Sequence, residues 1–190
     1  MRRITALCVA ALTALTLVGG PAPSAGAAEP FCGIRWGSLD KVDDRYSSAD
    51  ITNLRAGRHD CWDRLVVDLG PTVPGLPGPD AAGYQVRYVH DVAPGESPEL
   101  EPLDGAATLS IVVHARALDD NYNPTYLPAD HERAVNVTGF STFRQVYFYG
   151  TYEGQTEIGL GVRARLPFRV FTLTGPGSGS RLVIDVAHRW

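Results

Sequence analysis

The sequence predicts an all-β protein, a two-sheet β-sandwich of about eight to nine short strands with long Pro/Gly-rich loops. Three observations carry that expectation. Short runs rich in β-branched and aromatic residues recur along the chain. Between them lie turn-forming stretches, "GPTVPGLPGPDAAG" (70–83), "APGESPELEPLDG" (93–105) and "GPGSGS" (175–180). No segment sustains a 3.6-residue apolar period with caps, so long helices are not expected. Many short strands separated by frequent turns are the pattern of a sandwich.

Taken in order, residues 1–28 read as a secretory leader rather than as part of the fold. Arg2 and Arg3 precede an apolar run from Ile4 to Val18, and "PAPSAGAA" comes after it. That run is shorter than the roughly 20 residues a membrane span needs. Ala25-Gly26-Ala27 fits cleavage before Ala28 or Glu29, and Cys8 lies too early and is too poorly flanked to accept a lipid. Residues 29–190 are then a single domain, long enough to bury about 70% of its unfolded surface.

Strands are expected near 51–57, 62–69, 84–90, 107–116, 143–151, 156–164, 166–173 and 181–188, with room for one helical turn in "LPADHERAVNV" (127–137). The clearest alternation is "IGLGVRARLPFRV" (158–170). Ile158, Leu160, Val162, Ala164, Leu166, Phe168 and Val170 share one parity, and Arg163, Arg165 and Arg169 share the other. Pro167 cannot donate to a ladder, so this region is an edge strand or breaks there.

A second pattern is written twice, "RLVVD" at 64–68 and "RLVID" at 181–185. Leu65, Val67 and Leu69 face one way, as do Leu182, Ile184 and Val186, while Arg64, Asp68, Arg181 and Asp185 face the other. Four residues of strand span about 13 Å, so the charges in each copy cannot meet and must pair across strands or stay in water. Two arrangements are open. The copies pair directly and antiparallel, setting Arg64 opposite Asp185 and Asp68 opposite Arg181, or one copy lies in each sheet.

Composition excludes several functions. Removing the leader leaves 15 basic against 21 acidic side chains, a net charge of −6, and Lys41 is the only lysine. Nothing in that balance invites nucleic acid, and no later stretch is apolar enough to span a membrane. Cys32 and Cys61 remain, and in an exported chain the default is a disulfide rather than a metal site or a reactive thiol.

Catalytic templates are missing. There is no G-x-S-x-G elbow, no H-E-x-x-H helix and no phosphate loop, and the histidines at 59, 90, 114, 131 and 188 are scattered. His114 reads as a hydrogen-bonded sheet residue. "DDNYNPTYLPAD" (119–130) alternates Asp119, Asn121 and Asn123 as a calcium loop would. It has Pro124 for the glycine and Asp130 for the glutamate, so it reads as a polar turn. Asn136-Val137-Thr138 is a formal glycosylation sequon. No cofactor or metal is called for.

The exposed polar clusters are better candidates, for binding. "RAGRHDCWDR" (55–64) places Arg55, Arg58, His59 and Asp60 around a hairpin tip held by Cys61. "YEGQT" (152–156) places Tyr152, Glu153 and Gln155 at another turn. Arg163, Arg165 and Arg169 would form a basic row of about 20 Å, suited to carboxylates or phosphates.

The stretches "RAGRHDCWDRLVVDL", "GYQVRYV", "YEGQTEIGLGVRARLPFRVFTL" and "SRLVIDVAHRW" resemble the AMIN-like domain proteins exported by actinobacteria, relatives of the AMIN domain of cell-envelope proteins. The resemblance covers most of residues 32–190. It implies a β-sandwich with a non-catalytic role in the envelope and peptidoglycan as ligand, and it transfers no ligand residues. The expected function is a secreted envelope-binding module that engages peptidoglycan or an attached anionic polymer. The alternative is an interaction or structural domain of the envelope with a protein partner, using a sheet edge or the aromatic strand "YFYGTY" (147–152).

Overall fold

The computed structural model describes residues 29–72, 82–92 and 102–190. The leader and parts of the two longest Pro/Gly-rich loops lie outside them. Nine strands form two antiparallel sheets: β1 (Lys41–Asp43), β2 (Ile51–Arg58), β3 (Trp62–Leu69), β4 (Tyr84–Val89), β5 (Ala107–Val113), β6 (Phe143–Tyr152), β7 (Gln155–Val162), β8 (Phe168–Thr174) and β9 (Ser180–Ala187). One sheet runs β1-β4-β5-β7-β6 and the other β2-β3-β9-β8.

Eight of these strands are the ones alternation predicts. β1 has three residues, too few to show a period. Residues 127–137 hold turns and bends instead of the helical turn; among the described residues the one helical element is a 3-10 turn at Phe31–Gly33.

The core lies between the sheets. Leu65, Val67, Phe168, Leu182 and Ile184 meet Val86, Leu109, Ile111, Phe143, Ile158 and Leu160, all fully buried. Each large apolar side chain so placed stabilises the fold by about 1.5–3 kcal/mol. On the outer face, Gly161 lets the chain at Asp104 lie flat on β7; a β-carbon there would sit 2.1 Å from the Asp104 carbonyl oxygen.

The two "RLV-x-D" segments, β3 and β9, pair directly, with Arg64 opposite Asp185 and Asp68 opposite Arg181. Their inward residues are buried as parity requires. The placing of one copy in each sheet is overturned. Only one of the two expected cross-strand ion pairs forms. The Arg64 guanidinium donates to both carboxylate oxygens of Asp185 at 2.6 and 2.9 Å. Asp68 instead accepts from Arg55 at 2.8 and 2.9 Å, because β2 lies on its other side, and Arg181 donates to the Thr174 carbonyl at 3.0 Å.

The outer face of this sheet is also not the solvated surface that simple alternation implies. Val66, Val183 and Asp185 are buried on it. The segment 29–40 lies against this region, tied by the Cys32–Cys61 disulfide (α-carbons 6.2 Å apart), the Trp36–Trp62 contact and a Phe168 N–H···O=C Gly37 bond. A disulfide closing a loop of 29 residues stabilises by roughly 3–4 kcal/mol on the chain-entropy account.

Burial separates the two matched aspartates energetically. Asp185 is fully buried and holds two arginines, whereas Asp68 and Arg55 are both partly in water. Asp185→Ala should lower the unfolding free energy by about 2–3 kcal/mol by leaving two guanidiniums half-buried without a counter-charge. Asp68→Ala should lower it by less than about 1 kcal/mol. Denaturant unfolding of the two variants checks this, and equal losses would refute it.

Candidate functional site

Four strand ends converge at one end of the sandwich: the starts of β3 and β6 and the ends of β7 and β9. Asp63, at the start of β3, has the same parity as Leu65 and so points inward, where it is fully buried. One of its carboxylate oxygens accepts the backbone N–H groups of Thr142 and Phe143 at 2.5 and 3.1 Å. The other lies 3.1 Å from Nε2 of His188. One carboxylate thereby ties the two sheets together and fixes the residue that comes after β9.

The chain beyond β9 is pinned on both sides. The His188 N–H donates to the Cys61 carbonyl, and the Trp190 indole donates to the Arg165 carbonyl at 3.0 Å. Between these anchors, Arg189 projects outward with its guanidinium 5.5 Å from the Phe31 ring centre. Phe31 and Asp60 are neighbours in space because each precedes one half of the disulfide. The result is a cleft of about 600 Å3 lined by Phe31, Asp60, Ser141, Arg163, His188 and Arg189.

The electrostatics of the cleft are mostly positive. Arg163 lends one Nη to the His188 carbonyl at 2.5 Å. Among the described residues neither Arg163 nor Arg189 makes an ion pair. Arg58 and Arg144 flank the 139–142 loop, donating to the Gly139 carbonyl at 3.2 Å and the Ser141 carbonyl at 3.3 Å. Asp60 is the one carboxylate in the lining.

The residues expected at a binding surface are divided among several places. Arg163 and Asp60 share the cleft lining, Arg58 lies outside it on the Gly139 carbonyl, and His59 stacks its ring on Trp62 at 5.3 Å. The arginine row is not continuous, because residues 163–167 carry the chain from one sheet to the other, and β8 starts only after Pro167. Arg165 turns to Ser38 and lies 4.9 Å from the Tyr88 ring centre. Arg169 is bound to the buried Asp185 at 2.7 Å and packs against Trp36 and Phe171. Glu153 and Gln155 lie at the opposite end of β7, about 25 Å from the cleft, where Gln155 donates to the Tyr46 hydroxyl at 2.7 Å.

His188, Arg189, Phe31 and Ser141 were not among the expected site residues. Their signal in the sequence is adjacency: Phe31 and Asp60 precede the paired cysteines, and "HRW" closes the second matched strand.

The other polar motifs are local. His114 bonds the Arg45 carbonyl at 3.1 Å and stacks on Tyr46, as expected of a satisfied sheet residue. Asp119 accepts the N–H groups of Asn121 and Asn123, both at 2.8 Å, and so caps its own turn. The aromatic edge strand β6 is covered along its middle: Phe148 N–H donates to the His131 carbonyl and Ala134 N–H to the Val146 carbonyl.

These features define an antiparallel two-sheet module with a disulfide-bounded, arginine-lined recess at one end. Its described residues include no helix long and apolar enough to cross a membrane. The chain belongs to the AMIN-like domain family, whose model matches residues 49–188. Such domains are typically cell-envelope associated and form a non-catalytic, binding-type family. No curated protein and no solved structure matches the chain.

One ionisable group near the β2 entry has a testable pH signature. Burial holds the Asp50 carboxyl above its usual value; Arg116, 3.5 Å away, offsets this in part, and the Asp120 and Asp119 charges add to it. A raised carboxyl favours folding while it is protonated, and that contribution is lost as pH rises through its folded value. Asp50→Asn should therefore be more stable than the native chain at about pH 7, with the gain disappearing near pH 3. Denaturant midpoints at the two pH values measure it; an equal gain at both would exclude the burial account.

Proposed function

We propose that this protein is an exported, non-catalytic envelope-binding module that engages peptidoglycan or an attached anionic wall polymer through the cleft at 31, 60, 141, 163, 188 and 189. The leader pattern of residues 1–28 and the Cys32–Cys61 disulfide support export. The observation that carries the binding reading is the pair of guanidiniums, Arg163 and Arg189, facing one recess without a carboxylate partner among the described residues. Guanidinium forks bind carboxylates and phosphates bidentately. On a chain of net negative charge, such a local concentration of positive potential directs anions to one place.

The test is co-sedimentation of the exported chain with purified, protein-free cell walls. The Arg163→Ala/Arg189→Ala double variant should lose most of its wall binding while its unfolding free energy stays within about 1 kcal/mol of the native value. Binding should also weaken as salt rises from about 0.05 M to 0.5 M, where the Debye length falls below about 5 Å. Undiminished binding by the double variant would place the contact elsewhere, and salt-independent binding would remove the ionic mechanism.

A further inference from the structure

The shape and charge of the cleft narrow its ligand. On the basis of the envelope-binding reading, we infer that the cleft receives the end of a short peptide, its free carboxylate on Arg163 and Arg189 and a free amine on Asp60, rather than the repeated charges of a polyanion.

The distribution of arginines speaks first. A polymer carrying one anion after another is held by a track of cations, and the 163–165–169 row would have been one. The bend at 163–167 breaks it. Arg169 is committed to Asp185, and Arg165 is turned to Ser38 and Tyr88. What remains of the row at the cleft is Arg163, with Arg189 sharing the same lining, a pair that suits one anionic group. Arg163 keeps Nε and one Nη after its bond to the His188 carbonyl, and among the described residues no hydrogen bond engages the Arg189 guanidinium. Two such forks offer enough in-plane donors for both oxygens of a carboxylate.

Asp60 speaks second. It shares the lining with these arginines and makes no ion pair among the described residues. A carboxylate at that point repels a polyanion but complements an ammonium group carried by the same ligand. Like-charge juxtaposition is how a site rejects the wrong partner. The remaining lining is the Phe31 ring, the Ser141 hydroxyl and His188; the ring suits a side-chain stem and the hydroxyl a peptide group. At about 600 Å3 the recess is in the size class of small-molecule sites, which hold a few residues and not a chain.

The experiment titrates the exported chain calorimetrically with Nα-acetyl-lysyl-D-alanine, which has a free carboxylate and a free amine. Beside it go its C-terminal amide, its Nε-acetyl form, inorganic polyphosphate and an N-acetylglucosamine oligomer. Wall sedimentation is run on the same preparation. The parent dipeptide should bind. Amidation, or Arg163→Ala/Arg189→Ala, should weaken it about tenfold or more, and Nε-acetylation or Asp60→Asn several-fold. Acetylation should cost the Asp60→Asn variant nothing further, since both changes remove the same contact.

The ligand modifications are read on the native protein, so a variant that fails to fold does not blunt the test. If walls sediment the chain but the dipeptide does not bind, or binds equally as its amide, the peptide-end assignment falls and the envelope reading stands. Tighter binding of polyphosphate or of the glucosamine oligomer has the same consequence. Undiminished dipeptide binding by Asp60→Asn removes the amine half of the assignment. Failure of the native chain to bind walls at all removes both readings.

Discussion

The buried carboxylate of Asp63 is the contact on which both the joint between the sheets and the cleft depend. An ionised carboxylate taken from water costs several kcal/mol unless it is fully hydrogen-bonded. Here two backbone N–H groups of the 142–143 segment donate to one oxygen, and Nε2 of His188 lies 3.1 Å from the other. The geometry leaves little freedom: β3 must enter where β6 begins, and the chain after β9 must turn so that His188 faces inward. Arg189, the next residue, is then directed outward over Phe31. The position of Arg189 is a consequence of satisfying a buried acid.

Asp185 has a parallel role on the opposite face of the same sheet. It sits one rung along the β3–β9 ladder from Asp63 and points outward, where Arg64 and Arg169 enclose it. Arg169 is itself layered among Trp36, Trp62 and Phe171, so that cation–π contacts and the ion pair fix one side chain together. An outer sheet face that alternation alone would leave to water becomes a second, polar-centred layer under the 29–40 segment. The same arrangement explains why Arg169 is poorly placed for a ligand: its Nε and one Nη are already directed at Asp185.

Much of the fold was legible in the sequence because period-two alternation is a direct consequence of strand geometry. The antiparallel register of β3 and β9 was also contained in the repeated pattern, as one of two alternatives. What alternation could not tell was the lateral neighbour: Asp68 had Arg181 opposite it but Arg55 beside it, and β2 won. The arginine row failed for a similar reason. Parity describes a single straight strand, whereas residues 163–167 pass between sheets, and Pro167 was the visible sign of that break. β1 left no signal because three residues carry no period. Within the site, Asp60 and Arg163 were visible as exposed polar residues, as was Arg58 at its flank. Phe31, His188 and Arg189 were not, because a cleft assembled from four strand ends and a disulfide has no contiguous signature.

The family match begins at residue 49, whereas Phe31, Cys32 and Trp36 precede it. One wall of the cleft is therefore supplied by a segment outside the matched sandwich, and it is held there by a covalent bond and an aromatic–cation stack rather than by the core. The sandwich's stability comes chiefly from the apolar layer between the sheets, which this segment does not enter. Core packing and cleft geometry thus rest on different contacts in this chain: the core sets where the four strand ends meet, Asp63 sets the direction of the tail, and the disulfide, which also adds stability, sets the distance between Phe31 and Asp60 across the recess. A change in the 29–40 segment, which precedes β1, can reshape the cleft while leaving the nine strands, and the arginine beyond β9, where they are.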